Sequence, residues 1–149
     1  MDTVGDLLKT KGAKVYTTYD DKKIAEALAV LVEHNIGSLI VHDHQHNIAG
    51  IITERDIMRI SHRLGKDFLE ARVRDAMTPR DDLIVGVTED TLDYIMQVMT
   101  QNKIRHVPII HGERLLGMLS IGDVVKARLD AIQTENHYLR DYLGDKYPA

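Results

Sequence analysis

Two seven-residue stretches of this chain carry residue types that can bind as well as pack: Gly50-Ile51-Ile52-Thr53-Glu54-Arg55-Asp56 and Gly117-Met118-Leu119-Ser120-Ile121-Gly122-Asp123. In each, an apolar run ends in a hydroxyl residue, and a carboxylate follows three positions later. One reading is structural: Thr53 or Ser120 caps a helix, and Asp56 or Asp123 favours the positive end of its dipole. The other reading uses the same geometry to bind. A helix N-terminus offers unpaired amides and partial positive charge to a phosphate, and the hydroxyl adds a donor. A carboxylate beside it accepts two hydrogen bonds at once, which suits the 2′,3′-diol of a ribose. The opening glycine lets a ligand or a neighbouring backbone come close. Two copies of the whole arrangement favour a pair of sites.

No other constellation reaches that level. His42, His44 and His46 alternate around Asp43, but period-two spacing in a turn does not make side chains converge. A solvated hairpin is expected there, and no metal. The acidic residues form no acid/base pair and no serine sits in a nucleophile motif, so no catalytic residue is expected and the chain is read as a non-enzyme. The sequence holds no cysteine, which removes disulfides and thiolate chemistry and fits a cytoplasmic location. A formal charge of −4 gives no basic footprint for nucleic acid or anionic lipid. No stretch reads as a signal peptide or a membrane span.

The elements that must position the two stretches are themselves repeated. Ile36 falls on Ile104 and Val30 on Val98; after one deletion in the intervening turn, Gly50, Thr53 and Asp56 fall on Gly117, Ser120 and Asp123. Lead-in segments echo as well, with Val4, Asp6 and Leu8 against Val73, Asp75 and Met77. Each unit starts with a short β-prone run, 15–18 or 83–87, and a capping-type residue, Asp20 or Thr88. An amphipathic helix follows, striped by Ile24, Ala27, Leu28 and Leu31, or by Leu92, Ile95, Met96 and Met99. The methionines are read as core filler. Two apolar strands joined by a polar turn then form a hairpin, 38–41 with 48–53 or 106–110 with 115–120. A second helix begins near Asp56 or Asp123. The order βαββα predicts an α+β fold, a small mixed sheet with helices on one face. The chain divides into residues 1–69, 70–127 and a helical tail 128–149. That tail has apolar residues at Leu129, Ile132, Leu139 and Leu143, a plausible stop at Gly144, and a frayed end at Asp145, Lys146 and Tyr147.

With its two glycine-to-aspartate stretches, the run Ile104-Arg105-His106-Val107-Pro108-Ile109 and the lead-in Val73-Arg74-Asp75-Ala76-Met77-Thr78, the sequence resembles a tandem pair of CBS domains, a Bateman module, of the stand-alone prokaryotic type. The resemblance covers nearly the whole chain. It implies two repeats packed about a pseudo-two-fold axis, with two clefts for adenosyl ligands: AMP, ADP, ATP, NAD or S-adenosylmethionine. It assigns the ribose to Asp56 and Asp123 and the phosphate to the neighbourhood of Thr53 and Ser120. It places adenine between apolar positions near Tyr16 and Ile36 in one site, and near Ile84 and Ile104 in the other.

The two sites are expected to differ. The second has Arg105 and His106, matching a basic pair often found near the phosphate in the family, where the first has Gly37 and Ser38. Arg55 either reaches a phosphate or is a solvated charge, and His106 is either an anion donor or a core-edge histidine bonded to backbone. The leading function is a regulatory sensor that modulates an unidentified partner protein, as a homodimer, without nucleic acid or membrane. A nucleotide-independent structural adaptor or dimerisation module is the alternative. A metal-dependent hydrolase built on the histidine turn is the third class.

Overall fold

The computed structural model describes residues 2–12 and 14–143, the last three of them by backbone alone. Along the chain run α1 (Val4–Lys11), β1 (Thr17–Tyr19), α2 (Ile24–His34), β2 (Ser38–His42), β3 (Ile48–Thr53), α3 (Glu54–Leu64), α4 (Val73–Ala76), β4 (Thr78–Pro79), α5 (Leu92–Asn102), β5 (His106–His111), β6 (Arg114–Ser120) and α6 (Ile121–Leu143). The expected stop at Gly144 and the terminal residues Asp145, Lys146 and Tyr147 lie outside the described residues.

These elements form two compact units, one of Lys14–Ile84 and one of Met1–Ala13 with Val85–Ala149. In the first, β1 runs parallel to β2, and β2, β3 and β4 are antiparallel in the order β1-β2-β3-β4. Its core gathers Ile24, Ala27 and Leu31 of α2 with Leu39, Val41 and Ile52 of the hairpin, and with Ile57 and Ile60 of α3. The second unit repeats the plan around β5 and β6. There Leu92, Ile95 and Met99 of α5 meet Val107, Ile109 and Leu119, and Met96 packs at the edge.

Helix α2 starts later than the capping residue Asp20 predicts. Its N-cap is Lys23, whose amide donates to the Glu26 carboxylate at 2.9 Å. Helix α5 is capped by Thr91, whose hydroxyl accepts from the Tyr94 amide at 3.1 Å, and not by Thr88. Asp20 and Thr88 serve instead through their main-chain carbonyls. Asp20 accepts the Arg74 amide at 2.9 Å, and Thr88 accepts the Gly5 amide at 2.9 Å. The three-residue delay gives each unit a short extended segment on which a lead-in helix docks. The bonds match pair for pair: Val73 N to Lys22 O and Val4 N to Asp90 O, Ile24 N to Ala71 O and Leu92 N to Asp2 O. The lead-in that precedes the second repeat in sequence therefore completes the unit of the first, and α1 completes the unit of the second. The compact units thus cut the chain differently from the sequence division at 69/70.

Two further differences are local. The strand expected over 83–87 is reduced to a single parallel bridge, Gly86 with Ile109. Its neighbour in the ladder, Pro108, has no amide to donate, which limits pairing on that edge. The tail is also not a separate helix: α6 runs unbroken for 23 residues from Ile121, about 35 Å.

Candidate functional site

The hairpin register brings together the residues that sequence reading placed in two separate runs. In the first unit Ser38 pairs with Thr53, and the Glu54 amide closes the corner on the Gly37 carbonyl at 3.1 Å. In the second His106 pairs with Ser120, and the Ile121 amide bonds to the Arg105 carbonyl at 2.8 Å. Each corner sets the start of the first hairpin strand beside the N-terminus of a helix.

Thr53 and Asp56 form a reciprocal cap on α3. The Thr53 hydroxyl accepts the Asp56 amide at 3.3 Å, while the carboxylate takes the Thr53 amide at 3.0 Å and lies 3.1 Å from that hydroxyl. A third donor, the Thr78 hydroxyl at the start of β4, is 3.4 Å from the other carboxylate oxygen. Asp56 is only 6% exposed. Burial pushes its carboxyl above the ordinary aspartate range, against the opposing effect of the Thr53 bonds, Arg59 and Thr78.

The Asp123 corner has the same cap and a different third donor. Ser120 N donates to Asp123 at 2.8 Å, and Asp123 N donates back to the Ser120 hydroxyl at 3.1 Å. Lys11, at the end of α1, places its ammonium 2.6 Å from the same carboxylate oxygen and also bonds to the Met118 carbonyl. Burial alone would raise this carboxyl; the Lys11 hydrogen bond and charge, together with Ser120, hold it below the ordinary range. In both units the lead-in therefore delivers the extra donor.

Glycine permits that approach. A Cβ on Gly50 would stand 2.2 Å from the Thr78 carbonyl, and one on Gly117 would meet the Leu8 side chain at 2.8 Å. The close neighbour of each glycine is the lead-in.

The remaining predicted residues fall around these corners. Ile36 and Ile104 are half-buried against their respective cores. Tyr16 packs on the first core, stacks on His34 with ring centroids 4.1 Å apart, and has the Lys14 ammonium 5.1 Å from its ring centre. Arg55 and Arg105 are exposed, and His106 is half-buried. Ile84 closes the Lys14–Ile84 unit, so it is not in the same unit as Asp123. Lys11, Thr78 and Arg59 were not predicted. Only the echo of the lead-ins could have pointed to the first two.

Of the histidine turn, only His44 converges with acidic groups. It stacks on Tyr19, lies 2.6 Å from Asp21, and with Asp20 and Asp21 offers donor atoms within 4.8 Å of one another.

The paired corners, each a capped helix start beside a hairpin and served by an exchanged lead-in, match a known architecture. The model of the CBS domain family matches twice, over residues 4–63 and 73–130. The chain belongs to the CBS domain family. This CBS pair is 36% identical to the mitochondrial CBS domain-containing protein CBSX3 of Arabidopsis thaliana, over 97% of this chain and 73% of that one. It is 40% identical to the CBS-domain protein ATU1752 of Agrobacterium tumefaciens, whose crystal structure superposes with a TM-score of 0.82 over 85% of this chain and 93% of that one. A second structure, 25% identical with a TM-score of 0.69 over 88% and 97%, is the CBS domain pair of protein MJ0100 in complex with 5′-methylthioadenosine and S-adenosyl-L-methionine. Among the described residues, no helix is long and apolar enough to cross a membrane.

Proposed function

We propose that this CBS pair is a regulatory sensor of an adenosyl ligand, not an enzyme, and that it acts as a homodimer on a partner protein. The observation that carries the reading is the duplicated corner. In both units a hydroxyl and a carboxylate stand at a helix N-terminus, where phosphate and ribose chemistry can be served side by side. The related MJ0100 pair, with 5′-methylthioadenosine and S-adenosyl-L-methionine bound, supports the adenosyl class. AMP, ADP, ATP, NAD and S-adenosylmethionine all carry that group.

At Asp56 the long Thr78 contact is the one a ribose hydroxyl would replace, because it is the weakest of the bonds to that carboxylate. Arg105 and His106 would face a phosphate at the second site, and Arg55 at the first. The absence of cysteine fits a reducing compartment, and we read the protein as cytoplasmic.

The test is sugar discrimination. Removing one ribose hydroxyl leaves a desolvated carboxylate short of a donor, a cost of about 1–3 kcal/mol, or roughly fivefold to 150-fold in affinity. Calorimetry should show AMP binding more tightly than 2′-deoxy-AMP, with the preference reduced in Asp56→Asn and Asp123→Asn. S-adenosylmethionine, ATP and NAD are titrated in parallel. Binding of none of these ligands, or equal binding of both sugars, returns the two aspartates to helix capping.

A further inference from the structure

Helix α6 outruns its own unit. Its first turns are anchored by the buried Val124 and Ala127, but every side chain from Leu129 to Arg140 is exposed. A helical stretch of this length without tertiary packing is marginal in water. The exposed residues include Leu129 at 52%, Ile132 at 48% and Leu139 at 45%, with Val125 also exposed one turn before.

Their spacing is that of a heptad seam. Val125, Leu129, Ile132, Asn136 and Leu139 follow one another at intervals of four, three, four and three, so that Leu129 and Asn136 fall at a positions and Val125, Ile132 and Leu139 at d positions. We infer that α6 pairs with α6 of a second copy as a parallel, in-register coiled coil along this seam. The inference rests on the homodimer reading above and assigns that dimer its surface and orientation.

Two features select this occupant and this direction. In an antiparallel pair, a positions face d positions, so Asn136 would lie against Val125, Ile132 or Leu139 and leave its amide unsatisfied. Only the parallel in-register pair sets Asn136 against its own copy, where the two amides bond to each other. Charge agrees. Glu135 at g then faces Arg140 at e of the other helix, and two-fold symmetry makes that pair twice.

The chain's lack of cysteine makes cross-linking a clean test. Light scattering first establishes whether the wild type is a dimer. Single variants Asn136→Cys and Leu139→Cys are then oxidised beside Thr134→Cys, whose f position points away from the seam. The expected result is covalent dimer from the first two and little from the third. Glu135→Lys should weaken the dimer roughly two- to tenfold by loss of the symmetric charge pairs, and adding Arg140→Glu should restore it. A dimer by light scattering that cross-links no better through Asn136→Cys than through Thr134→Cys overturns the seam and leaves the homodimer reading standing. A wild type that stays monomeric on concentration overturns both.

Discussion

The Lys11 ammonium lies 2.6 Å from Asp123, a partner 112 positions away in sequence. Asp56, the twin of Asp123, meets instead the neutral Thr78 hydroxyl at 3.4 Å. One carboxylate is thus held by a cation and the other by a hydroxyl, and their carboxyl groups shift in opposite directions. The difference separates two motifs that are nearly interchangeable as sequence.

Replacing Lys11 with Met keeps most of the side-chain volume and removes the charge. Hydrogen bonds to charged groups are worth about 1.5–3 kcal/mol, and urea denaturation at neutral pH should show a loss near the lower end, since both partners are partly solvated. Because folding lowers the Asp123 carboxyl, its stabilisation is fully present above the ordinary value of 3.8 and fades as pH falls through the lower folded value. The gap between wild type and Lys11→Met should close in that acidic window. A gap that is constant with pH would mean the lysine acts through packing alone.

Asp56→Asn should behave in the opposite sense. Folding raises this carboxyl, so the charged form opposes folding at neutral pH, and the penalty disappears as pH falls through the raised folded value towards 3.8. The amide oxygen of asparagine can still accept from the Thr53 amide. The variant should be as stable as wild type at neutral pH or more so, by up to roughly 1 kcal/mol, while losing its preference for ribose. Clear destabilisation in thermal melts at neutral pH would assign Asp56 a mainly structural role.

Gly50→Ala and Gly117→Ala should differ in severity. The new Cβ meets the main-chain carbonyl of Thr78 in one case and the end of the flexible Leu8 side chain in the other. Overpacking of a fixed neighbour costs about 1–3 kcal/mol, so Gly50→Ala should fall in that range and Gly117→Ala below it. Displacing β4 also removes Thr78 from Asp56, so Gly50→Ala should alter adenosyl affinity in the same unit. Equal melting temperatures for the two variants would contradict the close contact at β4.

The Lys11 pair also bears on the proposed asymmetry of the sites. In the proposed site Arg105 and His106 would favour an anionic phosphate beside Asp123, but Lys11 already occupies an oxygen of the carboxylate to which the ribose is assigned. Lys11→Met should therefore tighten binding of a neutral adenosine at the Asp123 site several-fold, measured by calorimetry in an Asp56→Ala background. Unchanged affinity would show that the ribose does not compete with the lysine.

Much of this was legible in the chain. Hairpin pairs, the stripes of α2 and α5, and the hydroxyl–carboxylate junctions are local patterns, and local patterns survive folding. The helix starts were misplaced because Asp20 and Thr88 have capping chemistry but hold the lead-ins by main-chain carbonyls, while Lys23 and Thr91 take the N-cap positions. Sequence also echoed the lead-ins without saying where they dock. Nothing near Lys11 in sequence signals Asp123, because that contact depends on the exchange between repeats. Likewise, the strand expected at 83–87 reads well by composition, and only the tertiary neighbour Pro108 shows why it shrinks to a bridge.

The exchange of lead-ins also imposes an order on synthesis. Lys14–Ile84 is contiguous and has all its parts as soon as β4 leaves the ribosome. Helix α1 is made before that unit and must wait, since the carbonyls of Thr88 and Asp90 that dock it are added only after the whole unit. Throughout the interval its apolar side, Val4 and Leu7, has no place to go within its own chain. On a crowded polysome a complete docking segment on an older nascent chain lies within reach, which exposes α1 to trading places between neighbours.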